Sequence, residues 1–144
     1  MLLSSTFAAA ALAIVAQDQV VLRAAPRDSA QQQTMLSQGD SLEVRGEKMD
    51  FLQVYDHRRE RSGYVRTSQV RQTTLSASEA PELLAVARFV RDTPGTEAMG
   101  IAFVAAYLKA APATAIDAEP FDILGTLADR LARRASGASK AQEA

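Results

Sequence analysis

The sequence predicts an α+β protein: a small five-stranded β-barrel followed by a three-helix C-terminal region. Three observations predict it. Side chains alternate with period two from Gln17 to about Leu75, turn-forming residues interrupt that alternation every few positions, and beyond Leu75 apolar residues recur at helical spacing. With 47% hydrophobic and 23% charged residues, the 144-residue chain has the composition of a folded protein rather than a disordered one.

The first sixteen residues, MLLSSTFAAAALAIVA, form an apolar run that ends at the polar Gln17, Asp18 and Gln19. That pattern predicts a signal peptide over residues 1–16, with the small Ala16 before the cut, and therefore an exported, periplasmic or envelope protein. The alternative is a retained N-terminal helix. It would reach only about 24 Å against a hydrocarbon core of ~30 Å, so membrane association would come through a partner or an uncleaved leader.

Five short strands follow in residues 17–75: Val20 to Arg23, Thr34 to Leu36, Leu42 to Arg45, Leu52 to Tyr55, and Tyr64 to Arg66. Pro26 to Ser29, Ser37 to Asp40, Gly46 to Asp50 and Asp56 to Gly63 supply turn chemistry between them. Leu42 and Val44 alternate with polar neighbours, and Leu52 and Val54 with Phe51, Gln53 and Tyr55, so each strand has one aliphatic face.

The succession VVLRAAP, TMLSQGDSLEVRG, FLQVYD and SGYVRTSQV resembles the bacterial Src homology 3 (SH3) domain. The likeness covers residues 20–71 and rests on Leu22 to Pro26, Gly39, Phe51, Gly63-Tyr64-Val65 and the closing Val70. Two tryptophan positions of that family hold Phe51 and Tyr64 here. The resemblance implies an SH3-like barrel with a binding or adaptor task, in a setting where such barrels accompany cell-wall enzymes or anchor proteins to wall material.

Beyond Leu75, Ser76 or Ser78 can cap a helix to about Arg91, with Pro81 tolerated in its first turn, and Thr93-Pro94-Gly95 ends it. A second helix, Thr96 to about Ala111, sets Ala98, Ala102, Ala106 and Ala110 four apart, beside Met99, Phe103 and Tyr107. It is apolar on nearly every side and so requires cover on every side. A third helix runs from an Asp117 cap to about Arg134, with Phe121, Leu124, Leu127, Ala128 and Leu131 on one face. The remaining residues, 136–144, are small and polar and read as a flexible tail.

Three sets of side chains are candidates for partner or ligand binding. Ala102, Phe103, Ala106 and Tyr107 either close an intramolecular core or dock onto another subunit. Phe51, Tyr55 and Tyr64 face away from the aliphatic side of their strands, to be covered by the helices or to meet a ligand. Arg58, Arg59 and Arg61 crowd one loop with His57, either as a solvated hairpin tip or as a grip on carboxylates or phosphates.

Composition narrows the chemistry. The chain has no cysteine and one histidine, which removes thiol nucleophiles, thiolate metal sites and two-histidine zinc sites. Gly95 and Gly100 are not followed by the Lys-Ser/Thr ending of a phosphate loop, and no Gly-x-Ser-x-Gly elbow occurs. Sixteen basic against seventeen acidic residues give a net charge of −1, no field for nucleic acid. The expectation is a non-catalytic adaptor or structural subunit of a bacterial envelope assembly, without metal or cofactor. Its partner is an envelope protein or a further copy of the chain, and a peptidoglycan-binding module is the alternative.

Overall fold

The computed structural model describes residues 11–143. Seven strands, β1 (Ala11–Val15), β2 (Val20–Arg23), β3 (Gln32–Leu36), β4 (Ser41–Lys48), β5 (Phe51–Asp56), β6 (Arg61–Arg66) and β7 (Val70–Thr73), form one antiparallel sheet. Three helices follow: α1 (Ala80–Arg91), α2 (Glu97–Ala110) and α3 (Glu119–Glu143). The α+β class and the helical C-terminal region are as expected from the sequence.

The sheet is larger than expected and open. Its order is β3-β2-β6-β5-β4-β1-β7, so among the described residues β3 and β7 are its edges, and seven strands stand where five were predicted. All five predicted strands are present as β2 to β6. The two added ones lack the alternation that marks a half-buried strand. In β1, Ala13 and Val15 point into the sheet's own core while Ile14 points into the helical core, so both faces are apolar and period two vanishes. In β7, Arg71 and Gln72 are exposed, and backbone pairing to β1 defines the strand.

Part of the segment read as a leader is a strand of the sheet. Residues 11–15, assigned from sequence to a signal peptide ending at Ala16, fill the gap between β4 and β7. Ala13, Ile14 and Val15 are fully buried, and Val15 also bonds through its backbone to Asp40 and Gly39. Among the described residues, the sheet therefore includes Ala11–Val15 as well as the strands after Gln17. The first ten residues of the predicted leader lie outside those described.

The helices differ in detail. A 3-10 turn, Ala77–Glu79, precedes α1, and no serine side chain caps that helix. Asp117 does cap α3, its Oδ1 accepting from the Glu119 amide at 3.0 Å. α3 continues to Glu143, so most of the expected flexible tail is helical. Its inward face is also turned from the predicted one: Pro120, Ile123 and Leu127 are buried, whereas Phe121 and Leu131 are exposed. Two polar contacts accompany that face: Arg134 donates to Glu97 at 2.8 Å and Arg130 to the Arg91 carbonyl at 2.8 Å, beside the fully buried Ile123 and Leu127.

Two cores result. Val20, Leu22, Leu36, Leu42, Leu52, Val54 and Val65 close the sheet side, and Leu83, Phe103, Val104, Ile123 and Leu127 the helical side. Strand β1 contributes to both. Gly39, at φ +91°, brings the turn between β3 and β4 against the first turn of α2, where a Cβ would fall 2.6 Å from the Ala98 carbonyl carbon.

Candidate interaction surfaces

The predicted contact face of α2 is interior. Ala102, Phe103, Ala106 and Tyr107 are all buried in the helical core, packed among residues of α1 and α3. The helices approach closely at Gly100, where an added Cβ would sit 2.6 Å from Leu127 and 2.9 Å from Val90. The neighbouring helices supply most of the cover that an all-round apolar helix requires, so these residues are buried in the core.

The three aromatics of the sheet do share one face. Gln53 of β5 pairs with Tyr64 of β6, and Phe51 and Tyr55 flank it on the same side of β5. Arginines lie over two of the rings, those of Phe51 and Tyr55. The Arg66 guanidinium is 5.0 Å from the Phe51 centroid and that of Arg45 is 4.2 Å from Tyr55, while His57 meets Tyr55 edge-on at 4.7 Å. None of the three rings belongs to the helical core.

Arg66 also clasps both carboxylate oxygens of Asp28 through Nε, donating at 3.0 Å, and Nη2, and fastens the long loop after β2 to β6. That hydrogen bond, more than the charge itself, holds the Asp28 carboxyl below its usual range and the Arg66 guanidinium above its own. Phe51, Arg66, Asp28, Arg23 and Gln69 line a cavity of about 100 Å³ there. Its polar groups are largely occupied with one another.

Two of the three loop arginines are engaged within the molecule, and one of them is paired with carboxylates. Arg59 donates to Asp56 at 2.8 Å and Asp40 at 3.0 Å, and the Asp56 contact above all raises its affinity for the proton. Asp56 itself is buried and accepts the Arg58 and Arg59 amides. Arg61 donates to the Gln33 carbonyl at 2.7 Å, tying β6 to the edge strand β3. Arg58 projects into solvent, 3.9 Å from Asp40. His57 lies on the surface, 3.7 Å from Glu43.

A surface that sequence reasoning missed lies where the sheet meets the helices. Val86, Phe89 and Val90 of α1, Met99 and Phe103 of α2, and Ala16 and Arg71 from the sheet line a mainly apolar groove of about 210 Å³. Phe89, at its rim, is 75% exposed, and the Arg71 guanidinium stands 5.8 Å from the Phe103 centroid. The signal was legible in part: α1 buries Ala80, Leu83, Ala87 and Val90, and Phe89 falls off that stripe. A larger hollow of about 400 Å³, beside Arg91, Asp117, Glu119 and Asp122, is shallow and lined by charge.

The sequence matches no protein-family model, and no curated protein shows significant similarity to it.

Proposed function

We propose that this chain is a non-catalytic adaptor or structural subunit of an exported bacterial envelope assembly, and that it takes a partner segment in the groove beneath Phe89. On this reading the β module is SH3-like, the quoted likeness over residues 20–71 falling on strands β2 to β7. The observation that carries the reading is Phe89. A phenylalanine three-quarters exposed at the lip of an apolar groove costs solvation free energy in the free protein, and an apolar partner side chain offsets it. Arg71 at the same lip has its Nη2 2.6 Å from Glu82, so the rim offers a paired charge and not a free cation.

The arginine loop supports this choice over wall binding, because Asp40, Asp56 and the Gln33 carbonyl already engage Arg59 and Arg61. The test is crosslinking in intact cells, comparing the natural chain with Phe89→Glu and confirming by circular dichroism that the variant folds. A crosslinked envelope protein should be captured by the natural chain and lost in the variant. An unchanged crosslink, or recovery of the chain from the cytoplasm alone, would overturn the reading. Cosedimentation with purified peptidoglycan, abolished by Arg58→Glu, would favour a wall-binding module instead.

A further inference from the structure

We propose that the outer half of α3, residues 128–143, is an arm latched to the body through the buried carboxylate of Glu97 and released by acid. Apolar burial anchors the inner half of the helix. Pro120, Ile123 and Leu127 are buried, whereas past Leu127 every described side chain is exposed except the half-buried Arg130. The arm therefore depends on two arginines. Arg134 donates through Nη2 to Glu97 Oε1 at 2.8 Å, and Arg130 donates to the Arg91 carbonyl at the end of α1 at 2.8 Å while its Nε stands 3.9 Å from the same Oε1. Glu97 has its side chain 1% exposed, and Oε1 also accepts from the Gly95 amide at 3.3 Å. One carboxylate thus ties α3 to the turn between α1 and α2.

The clip holds only while Glu97 is charged. Burial opposes its ionisation, but its own amide, the Gly95 amide and the two guanidiniums outweigh burial, so the charge persists to below the ordinary 4.5. Protonation leaves two guanidiniums facing a neutral acid, and water then solvates them better than the clip does. A stretch of about 16 residues without a packed face is marginal as a helix on its own, so release lets the arm fray. The other charged groups at this corner are Asp92 of the α1 end, 3.3 Å from Arg91, and Asp129 of α3, 3.0 Å from Arg133. Both pairs lie at the surface, where ion pairs contribute little. Glu119, paired with Arg88, sits at the far end of α3, where Ile123 and Leu127 hold the helix by burial.

Hydrogen exchange of the full chain, read by mass spectrometry and converted to protection factors so that the pH dependence of exchange itself cancels, tests the latch. Taking the natural protein from about pH 6 to about pH 3 should lower the protection of residues 131–143 roughly tenfold or more, while residues 119–127 and the sheet keep theirs. Glu97→Gln should have the weakly protected arm already at the higher pH and show no further change in acid. Arg134→Gln, with its side chain 49% exposed, should also loosen the arm at the higher pH, and it reads the latch even if the buried substitution impairs folding. Asp92→Asn and Asp129→Asn should respond to acid as the natural chain does. Protection lost equally from residues 119–127, an arm in Arg134→Gln as protected as the natural one, or an acid response that survives in Glu97→Gln or vanishes in Asp92→Asn would overturn the proposal.

Discussion

Gly39 and Gly100 stand where two parts of the molecule touch with no room for a methyl group. At Gly100, alanine would gain about 1 kcal/mol of helix propensity, but its Cβ would strike Leu127 and Val90, and overpacking of that kind costs about 1–3 kcal/mol. Gly100→Ala should therefore lower stability in urea unfolding, the reverse of an exposed helical glycine. Gly125→Ala is the internal control: the site is open, and the substitution should stabilise. Gly39→Ala should be worse than either, because its Cβ would meet backbone atoms of Ala98 and Met99 and its φ of +91° suits no L side chain. Glu97 makes a different prediction. Burial opposes its ionisation, yet its own amide, the Gly95 amide and the guanidiniums of Arg134 and Arg130 outweigh burial and hold the carboxyl below its ordinary 4.5. A carboxyl lowered on folding contributes stability that is complete above the unfolded value and is lost as pH falls through the folded one. Melting temperature should thus drop as pH is taken below about 4.5, and Glu97→Gln should start lower at neutral pH but show a shallower acid fall. Parallel curves for the two proteins would show that Glu97 stays unlinked to folding.

At the level of elements, β1 decides how much of the fold was legible in the sequence. Strands β2 to β6 show one aliphatic face each, and periodicity found them. In β1 the run Ala-Leu-Ala-Ile-Val is apolar on both sides because two cores claim it, and a continuous apolar run followed by polar residues is also what an export signal looks like. The two readings share one local pattern, and the pairing with β4 and β7, thirty to sixty residues distant, leaves no mark in it. α3 failed in a similar way. Leu124, Leu127 and Leu131 make an evident stripe, but the inward face carries Arg130 and Arg134 beside Ile123 and Leu127, and their partners, Glu97 and the Arg91 carbonyl, lie on other elements. Of the proposed contact residues, Phe51, Tyr55 and Tyr64 share one face as the alternation implied, while the arginine covers of Phe51 and Tyr55 required tertiary knowledge. Deleting residues 11–16 tests the element directly. It would leave the inner edges of β4 and β7 unpaired and open both cores, so the chain should lose its cooperative melting transition by circular dichroism. A retained transition would show that β1 is dispensable.

Over the whole molecule, the sheet and the helices share side chains and anchors to a degree that ordinary two-domain chains do not. Ile14 leaves the sheet to join Phe103, Ala106 and Leu83, and Gly39 seats the sheet's turn on α2. Glu79 adds a third connection: its Oε2 accepts from the Thr73 hydroxyl at 2.7 Å, the Thr74 amide at 2.7 Å and the Thr74 hydroxyl at 2.8 Å, fixing the corner where β7 hands over to α1. Leu75 takes a left-handed φ of 58° at that corner, a conformation that persists where the surroundings hold it. With these ties in place, neither half has a closed core of its own. The helical half lacks Ile14 without β1, and the sheet without the helices exposes Ile14 together with the groove floor at Phe103. The expected behaviour is one cooperative transition. Far-ultraviolet circular dichroism, dominated by α1 to α3, and, in a Tyr107→Phe background, the fluorescence of Tyr55 and Tyr64 in the sheet should report the same urea midpoint. Ile14→Ala should move both midpoints together, at a cost of about 2–5 kcal/mol, because the residue is fully buried between the two layers. Helices that melt first and leave tyrosine fluorescence native-like would mean that the layers are independent. Isolated residues 17–75 and 76–143 should then fold as separate fragments, which the sharing of β1 forbids.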